Sequence, residues 1–257
     1  GLPKEWVADR KKLVPPSAQR AHRVITVSDF SKRDIVEHFQ IDPERVQTIY
    51  HGITPGLEPS ADKQADRVRI SERYGVRENF VLYLGTLQPN KNIEGLCAAF
   101  QIMKKEGYAG KLILAGAQGW LFDEMWQRIA SRGHDKDVVL TGFVDSEDIP
   151  RLYGTCDAFA LVSFLEGFGI PVIEAMACGA PVVAADACSL TEVTANAGLL
   201  VDPNDEQQIA DALLSLCNNS ELRKKMVARG LAHAAKFTWR NTAIQHLEAY
   251  KIAMQQR

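Results

Sequence analysis

The chain has 257 residues, 46% of them hydrophobic, which is enough for one large core or two smaller ones. The net charge of −2 and the pI near 6.3 exclude a dedicated nucleic-acid binder, which is usually clearly basic. No apolar run reaches the length of a membrane span, and no signal peptide is visible. The five cysteines form no CxxC pair and no metal-ligand spacing with histidine, which predicts reduced, mostly buried thiols and a cytoplasmic protein.

The first residues, Gly1-Leu2-Pro3, lack an initiator methionine, so we expect the chain to begin inside a longer protein or after removal of a tag. Residues 4–23 are polar and basic and are interrupted by Pro15-Pro16. That composition fits two interpretations, a solvated helical connector or a weak peripheral contact with the inner face of a membrane.

A strand–helix–strand unit comes next, with apolar, β-branched runs at Val24–Val27 and Arg45–Tyr50. One such unit cannot cover both faces of a sheet, so residues 1–53 are predicted to be the basic connector and the tail of a larger α/β domain. His51, beside a glycine at the end of the second strand, either lines a cleft or is a plain turn residue.

Residues 54–78 are predicted to be a linker or hinge, because their first half is rich in proline, glycine and small or charged residues. Short strands and helices then alternate regularly over residues 79–237. This alternation predicts the α/β class, with a Rossmann-like parallel sheet covered by helices on both faces and a ligand site beyond the carboxyl ends of its strands. Residues 238–257 are predicted to form a final helix that packs back on the N-terminal part.

Two loops after the early strands carry glycine and polar residues. In residues 85–92, Gly85 permits close approach of a ligand, and Thr86 and Lys91 are suited to contact a phosphate; the alternative is an ordinary turn with an exposed lysine. Residues 115–119 resemble a dinucleotide fingerprint but lack its third glycine, which favours a tight turn.

A third loop, residues 141–145, offers exposed backbone around Gly142 that could hydrogen-bond a nucleobase edge. Phe143 or Val144 would then form a wall beside the base. In the alternative interpretation, Phe143 is simply part of the core.

The fourth segment, residues 166–175, places Glu166 in a glycine-rich loop and Glu174 in the opening turn of a predicted helix, with Pro171 at the first helical position. The amides of such a helix start attract an anion, whereas the two carboxylates favour neutral hydroxyls. The segment therefore predicts a site for a ligand that is part phosphate and part polyol. The alternative is a loop glutamate followed by a capping carboxylate.

Taken together, these loops resemble a known family. From about Arg20 to the C-terminus the chain is similar to the retaining glycosyltransferases of family 4, or group 1, which have the GT-B fold of two Rossmann-like domains. The Glu-x7-Glu segment and the strand after it match the family's signature, and residues 85–92 resemble its phosphate loop, especially in mannosyltransferase-like members. Most of the chain then corresponds to the C-terminal, donor-binding domain, and residues 27–32 to the end of the N-terminal domain.

The resemblance implies a role for each segment. Glu166 and Lys91 would be catalytic, with Glu166 holding the hydroxyls of the transferred sugar and Lys91 stabilising the diphosphate leaving group. Glu174 would bind the ribose. The remaining donor-binding residues would be Gly85, Thr86, Asn90, Gly142, Phe143, Val144, Gly167, Phe168 and Gly169.

Two departures from the family pattern matter. Many members have an arginine where this chain has Thr86, so Lys91 would carry more of the phosphate charge. Most of the N-terminal domain, which supplies the acceptor site, has no counterpart here.

Family members generally need no divalent metal, so no cofactor is expected.

The expected function is transfer of a hexose, with mannose from GDP-mannose favoured by the phosphate loop, to a glycan or lipid-linked acceptor in polysaccharide biosynthesis. Configuration would be retained, and this portion alone would have little or no activity. Two alternatives remain, a non-catalytic scaffold that still binds a nucleotide sugar and a nucleotide-sugar epimerase on the same fold.

Overall fold

The computed structural model describes residues 4–255, and within them the chain forms two compact units. The smaller unit contains the residues up to Gly52 together with those from Phe237 onward, and the larger unit is Ile53–Lys236. The loops singled out in the sequence all lie in the larger unit.

The smaller unit is built on two short parallel strands. Its elements are α1 (Lys4–Arg20), β1 (Val24–Thr26), α2 (Asp29–Phe39), β2 (Val46–Thr48) and α11 (Trp239–Gln255). The strands pair in parallel from Val24 opposite Val46 to Thr26 opposite Thr48, which is the predicted strand–helix–strand unit. Helix α11 joins it through Thr242, whose hydroxyl donates to the carbonyl of Tyr50 at 2.8 Å.

His51 also lies in the smaller unit, where its ring packs against the ring of Trp239 with centroids 5.9 Å apart. Burial, and then the neighbouring His246, lower the pKa of His51. The neutral imidazole is therefore favoured there.

Residues 54–78 differ from the predicted linker, because they contain a regular helix, α3 (Lys63–Tyr74). Asp62 caps its start by accepting hydrogen bonds from two amides of the first turn, and Gly75 ends it in the left-handed conformation. The prolines and the glycine that suggested a linker all precede this helix. The predicted linker was therefore extended too far along the chain.

The larger unit is a parallel sheet with helices on both faces, as the sequence predicted. In the described residues its strands are β3 (Phe80–Leu84), β4 (Lys111–Ala115), β5 (Val138–Gly142), β6 (Ala158–Leu161), β7 (Val182–Ala185) and β8 (Leu199–Val201). The helices are α4 (Ile93–Lys105), α5 (Phe122–Ser131), α6 (Ile149–Thr155), α7 (Ile170–Ala177), α8 (Cys188–Thr194), α9 (Glu206–Asn218) and α10 (Ser220–Ala234), together with α3. The central strands are almost completely buried and apolar, because helices cover both of their faces.

The order of the strands is β5-β4-β3-β6-β7-β8, with every adjacent pair parallel. The chain therefore builds outward from β3, returns to the middle, and builds outward again from β6. Loops after β3 and β6 leave the sheet in opposite directions, and the crevice between them is where ligands bind in open α/β sheets. Residues 85–92 and 162–169 flank this crevice.

A search of the helices within residues 4–255 found none with both the length and the apolar character needed to cross a bilayer.

Substitution of Gly116 by alanine should disrupt the crevice edge of the sheet. Gly116 has φ +137°, and an added Cβ would lie 2.1 Å from the carbonyl oxygen of Gly85. We expect Gly116→Ala to lower the free energy of unfolding by about 3 kcal/mol or more in urea denaturation.

Gly133→Ala is the matched control, because Gly133 has φ +67° but nothing within 4 Å of an added Cβ. Only the backbone penalty of about 1 kcal/mol should remain there. Equal losses in the two variants would contradict the proposed clash between Gly116 and Gly85.

Candidate functional site

The loop after β3 is fixed at both of its ends. At its start, the amide of Leu87 donates to the carbonyl of Ala117 at 2.9 Å, which ties it to the loop after β4. At its end, Asn92 adopts φ +56° and is buried, and its side-chain amide donates to the carbonyl of Pro203 at 2.6 Å. Asparagine tolerates this left-handed conformation better than most residues. The loop therefore presents Lys91, the residue before Asn92, in a defined position.

Lys91 forms an ion pair with Glu166 across the crevice, with 2.7 Å between Nζ and Oε1. Their side chains are only 19% and 12% exposed. The buried Ser163 hydroxyl donates to the same carboxylate oxygen at 2.9 Å. Lys91 is thus not the exposed turn lysine of the alternative interpretation, and the crevice holds a cation and an anion in contact.

The segment after β6 is anchored by backbone contacts on both sides of Glu166. The amide of Phe164 donates to the carbonyl of Asn90 at 3.0 Å, and the Ser189 hydroxyl donates to the carbonyl of Glu166 at 2.9 Å. These bonds join the loop after β6 to the loop after β3 and to helix α8. The position of Glu166 is therefore set by the backbone as well as by Lys91.

Gly169 precedes helix α7 with φ +93°, and an added Cβ would lie 2.5 Å from the Leu190 side chain. The positive φ favours glycine here, and a larger residue would also have to displace the end of the Leu190 side chain. Pro171 is the second residue of α7 and Glu174 the fifth, each one position later than expected, because the helix begins at Ile170. The aromatic ring of Phe168 is buried, so that residue faces the crevice through its backbone at most.

Glu174 is a partly buried carboxylate whose Oε1 accepts a hydrogen bond of 2.8 Å from the Thr54 hydroxyl. Burial raises the pKa of Glu174 above its usual value, although the bond from Thr54 acts in the opposite direction. The fully buried Tyr153 hydroxyl also lowers this pKa. Glu174 therefore keeps acceptor capacity for a further hydroxyl group.

An open cavity of about 280 Å³ lies beside the loops after β3, β4 and β5. Phe143 is 80% exposed at its edge, so it is not the core residue of the alternative interpretation, whereas Val144 is buried. The walls are mainly apolar and include Gly85, Thr86, Ala115, Gly116, Ala117, Phe143, Val144, Ser146 and Ile149. A flat, mainly apolar group with polar edges suits such a cavity.

The structure brings the predicted residues together as two neighbouring groups. In the first group Lys91 pairs with Glu166, and the carbonyl of Asn90 accepts from the amide of Phe164 in the loop that carries Glu166. In the second group Gly85, Thr86, Phe143 and Val144 share the cavity. Gly142 contributes its carbonyl to the amide of Gly116 rather than a cavity wall. Helix α7 carries Glu174, and Gly167 and Gly169 lie in the loop that leads to it.

Sequence reasoning missed three residues that hold this site, namely Thr54, Asn92 and Ser163. Thr54 was assigned to the linker, and Ser163 stands at the end of an apolar run without a motif of its own. The residues around Asn92 give no hint that its side-chain amide bonds to the carbonyl of Pro203, 111 positions away. Such long-range partners leave no local signal in one sequence.

A search of the described residues found no group of three or more histidine, cysteine, aspartate or glutamate side chains placed to hold a metal ion.

Two family models match the chain. The model described as "Glycosyl transferases group 1" matches residues 65–233, which is more than half of the chain, and "Glycosyltransferase Family 4" matches residues 2–57. The first match spans the parallel sheet and all the loops of the crevice described above.

Among curated proteins, the O-antigen chain mannosyltransferase B of Escherichia coli is 36% identical over 252 residues, covering 97% of this chain and 66% of that protein. The serotype-specific mannosyltransferase WbdA of Escherichia coli is 29% identical over 242 residues, covering 92% of this chain and 29% of that protein. The chain thus spans less than two thirds of the length of these relatives.

Among solved structures, the Anabaena protein Alr3699/HepE, crystallised in complex with UDP and glucose, superposes with a TM-score of 0.79 at 25% identity. The match covers 95% of this chain and 64% of that one.

The fold and the crevice define a doubly wound α/β protein with a charged site where its strand order reverses. The chain belongs to the glycosyl transferases group 1 family. This membership confirms the family resemblance inferred from the crevice loops.

Substitution of Glu174 by glutamine should stabilise the fold while removing a site carboxylate. Because burial raises its pKa, Glu174 in the folded state binds a proton more tightly than in the unfolded state. The stabilisation that comes from this proton is therefore lost as the pH rises from the pKa of Glu174 in the unfolded state through its pKa in the folded state. We expect Glu174→Gln to raise the free energy of unfolding at pH 7, with the difference vanishing near pH 4.

Urea denaturation of both proteins at several pH values measures this difference. Glu221→Gln is the control, since Glu221 is an exposed glutamate whose side chain is 81% accessible. A Glu174→Gln variant that is less stable than the parent at pH 7 would contradict the raised pKa of Glu174 in the folded state.

Proposed function

We propose that the whole protein is a retaining hexosyltransferase, and that this chain is its donor-binding portion with little or no transfer activity alone. It would take a sugar from a nucleotide diphosphate sugar and pass it to a glycan or lipid-linked acceptor in polysaccharide biosynthesis. The observation that carries the proposal is the Lys91–Glu166 pair, held between the loops after β3 and β6 in a member of this family.

The charged residues of the crevice suit the diphosphate and the sugar of such a donor. Lys91 offers a cation to the diphosphate, on which negative charge grows as the glycosidic bond breaks. Glu166 offers acceptor oxygens to the sugar hydroxyls beside it, and Glu174 does the same for the ribose. The mainly apolar cavity near Phe143 would receive the base.

The proposed donor is GDP-mannose. Two of the curated relatives are mannosyltransferases, and the loop of residues 85–92 resembles the phosphate loop of such enzymes. UDP and glucose, found with the Anabaena protein, are the competing choice. Donor binding without a divalent metal ion is part of the proposal, because Lys91 and the backbone amides around α7 supply the positive potential.

A cytoplasmic location is proposed from the five free cysteines, which fit a reducing compartment. The weak membrane contact stays a prediction, supported by exposed Leu13 and Val14 next to Lys11 and Lys12 on α1. Flotation of the protein with anionic vesicles tests it, and recovery in the protein-only fraction would count against it.

Calorimetric titration with GDP, UDP and ADP in the presence of EDTA tests the proposed site. We expect binding of at least one nucleotide at submillimolar concentration, with GDP preferred. A well-folded sample that binds none of them at millimolar concentration would refute the proposal. With the full-length protein, product analysis with donor alone distinguishes a transferase from an epimerase, because only an epimerase would convert the donor sugar.

Substitution of Glu166 by glutamine should separate binding of the nucleotide from transfer of the sugar. Lys91 must exchange Glu166 for the diphosphate, so loss of the carboxylate charge should tighten GDP binding about fivefold, equivalent to roughly 1 kcal/mol. Transfer by the full-length Glu166→Gln protein should fall by at least 100-fold, because the sugar loses its partner.

Lys91→Met should instead weaken GDP binding. Glu94→Gln is the charge-matched control, because Glu94 is a partly exposed glutamate that pairs with Arg128 at 2.7 Å and not with Lys91. It should change neither affinity nor transfer by more than about twofold. Unchanged transfer in Glu166→Gln would refute the proposed role of Glu166 in holding the donor sugar. A full-length parent that binds the donor but transfers no sugar would point instead to a scaffold that binds nucleotide sugars.

A further inference from the structure

We infer that Asp148 is a positioning residue for the cavity beside Phe143, and that its ion-pair network with helix α3 determines how tightly the base end of a nucleotide binds. This inference rests on the proposed function, since it assigns the cavity to the base. It adds a device that lies outside the Glu-x7-Glu segment and outside the phosphate loop.

The cavity wall in question is the turn between β5 and α6. Phe143, Val144 and Ser146 of this turn line the cavity, together with Ile149, the first residue of α6. Asp148 lies between the last two and faces away from the solvent, with a completely buried side chain. Its amide donates to the carbonyl of Asp145 at 2.9 Å, which closes the turn.

Helix α3 supplies three partners to the Asp148 carboxylate. Oδ1 accepts from Nε of Arg69 at 2.6 Å, and Oδ2 accepts from the Tyr74 hydroxyl at 3.0 Å and faces an Arg73 guanidinium nitrogen at 2.9 Å. Arg73 also pairs with Asp145, at the other end of the turn. The same guanidinium thus contacts both aspartates that bracket the cavity wall.

These contacts make the conformation of the turn depend on α3. Burial opposes ionisation of Asp148, yet the hydrogen bonds from Arg69 and Tyr74 hold its pKa below its usual value. A buried carboxylate must keep such partners, because an unpaired one is strongly unfavourable. The turn is therefore held where the cations of α3 can reach it, and Val144 and Ser146 are held with it.

The phosphate end of the site has different supports. Lys91 depends on Glu166 and on the bond from Asn92 to Pro203, none of which involves α3. A weakened Asp148 network should therefore affect the base and leave the diphosphate contacts in place. This separation gives the inference a readout that a general loss of stability would not produce.

The chain offers a matched control in Asp157. It too is a buried aspartate that accepts from a tyrosine and an arginine, from the Tyr108 hydroxyl at 2.9 Å and from Arg223 at 3.3 Å. It precedes β6, and its amide bonds to the carbonyl of Phe80, the first residue of β3. Asp157 therefore lies at the amino ends of the parallel strands, opposite to the candidate site.

The test compares Asp148→Asn with Asp157→Asn by calorimetry, using GDP and inorganic pyrophosphate as ligands. We expect Asp148→Asn to bind GDP about tenfold more weakly, the equivalent of one lost charged hydrogen bond, and pyrophosphate within twofold of the parent. Asp157→Asn should bind both ligands within twofold, even if its melting temperature falls by a similar amount.

Three outcomes would overturn the inference. Equal losses of GDP affinity in the two variants, a parallel loss of pyrophosphate affinity in Asp148→Asn, or an unchanged GDP affinity there would each do so, while the proposed function stands if the parent binds GDP. A parent protein that binds no nucleotide overturns both. Should Asp148→Asn fail to fold, Tyr74→Phe removes one bond to the same carboxylate, and a loss of GDP affinity of about threefold is expected.

Discussion

The reversal of strand order between β3 and β6 is the constraint on which the candidate site depends. Because β3 and β6 are neighbours in the sheet, the loops that follow them both begin at the same crevice. Lys91 and Glu166 are 75 positions apart in the sequence, yet their side chains meet there at 2.7 Å. The anchors of the two loops and the start of helix α7 are arranged around this crevice. Asn92 and Ser189 fix the two loops from behind, and helix α7 starts where the second loop ends.

Charged groups at this crevice are held by protein neighbours more than by water. Lys91 and Glu166 neutralise each other, Asp148 is enclosed by cations, and Glu174 is left with a raised pKa because burial outweighs the bond from Thr54. Such an arrangement keeps side chains in place before a ligand arrives, at some expense of stability. A ligand of the proposed kind would exchange existing contacts for new ones, and little of the site would need to be ordered anew.

The sequence predicted the parallel sheet well, because buried strands between helices leave a strong alternation of short apolar runs and amphipathic segments. It also placed Lys91 and Glu166 in loops of the same sheet edge. It failed where structure depends on distant partners. The helix α3 was hidden by the prolines before it, and neither the Asp148 network nor the bond from Thr54 to Glu174 has a local pattern. The exposure of Phe143 could not be decided from its residue type, since phenylalanine is common in cores and at sites.

Helix α3 changes where this domain can be divided. The apolar sheet begins at Phe80, and a boundary drawn there would keep every strand and both glutamates of the signature segment. It would also discard Arg69, Arg73 and Tyr74, and Asp148 would lose its three partners from α3. The smallest part of the chain able to hold a complete crevice is therefore set by an ion-pair network, and it begins before the first strand of the sheet.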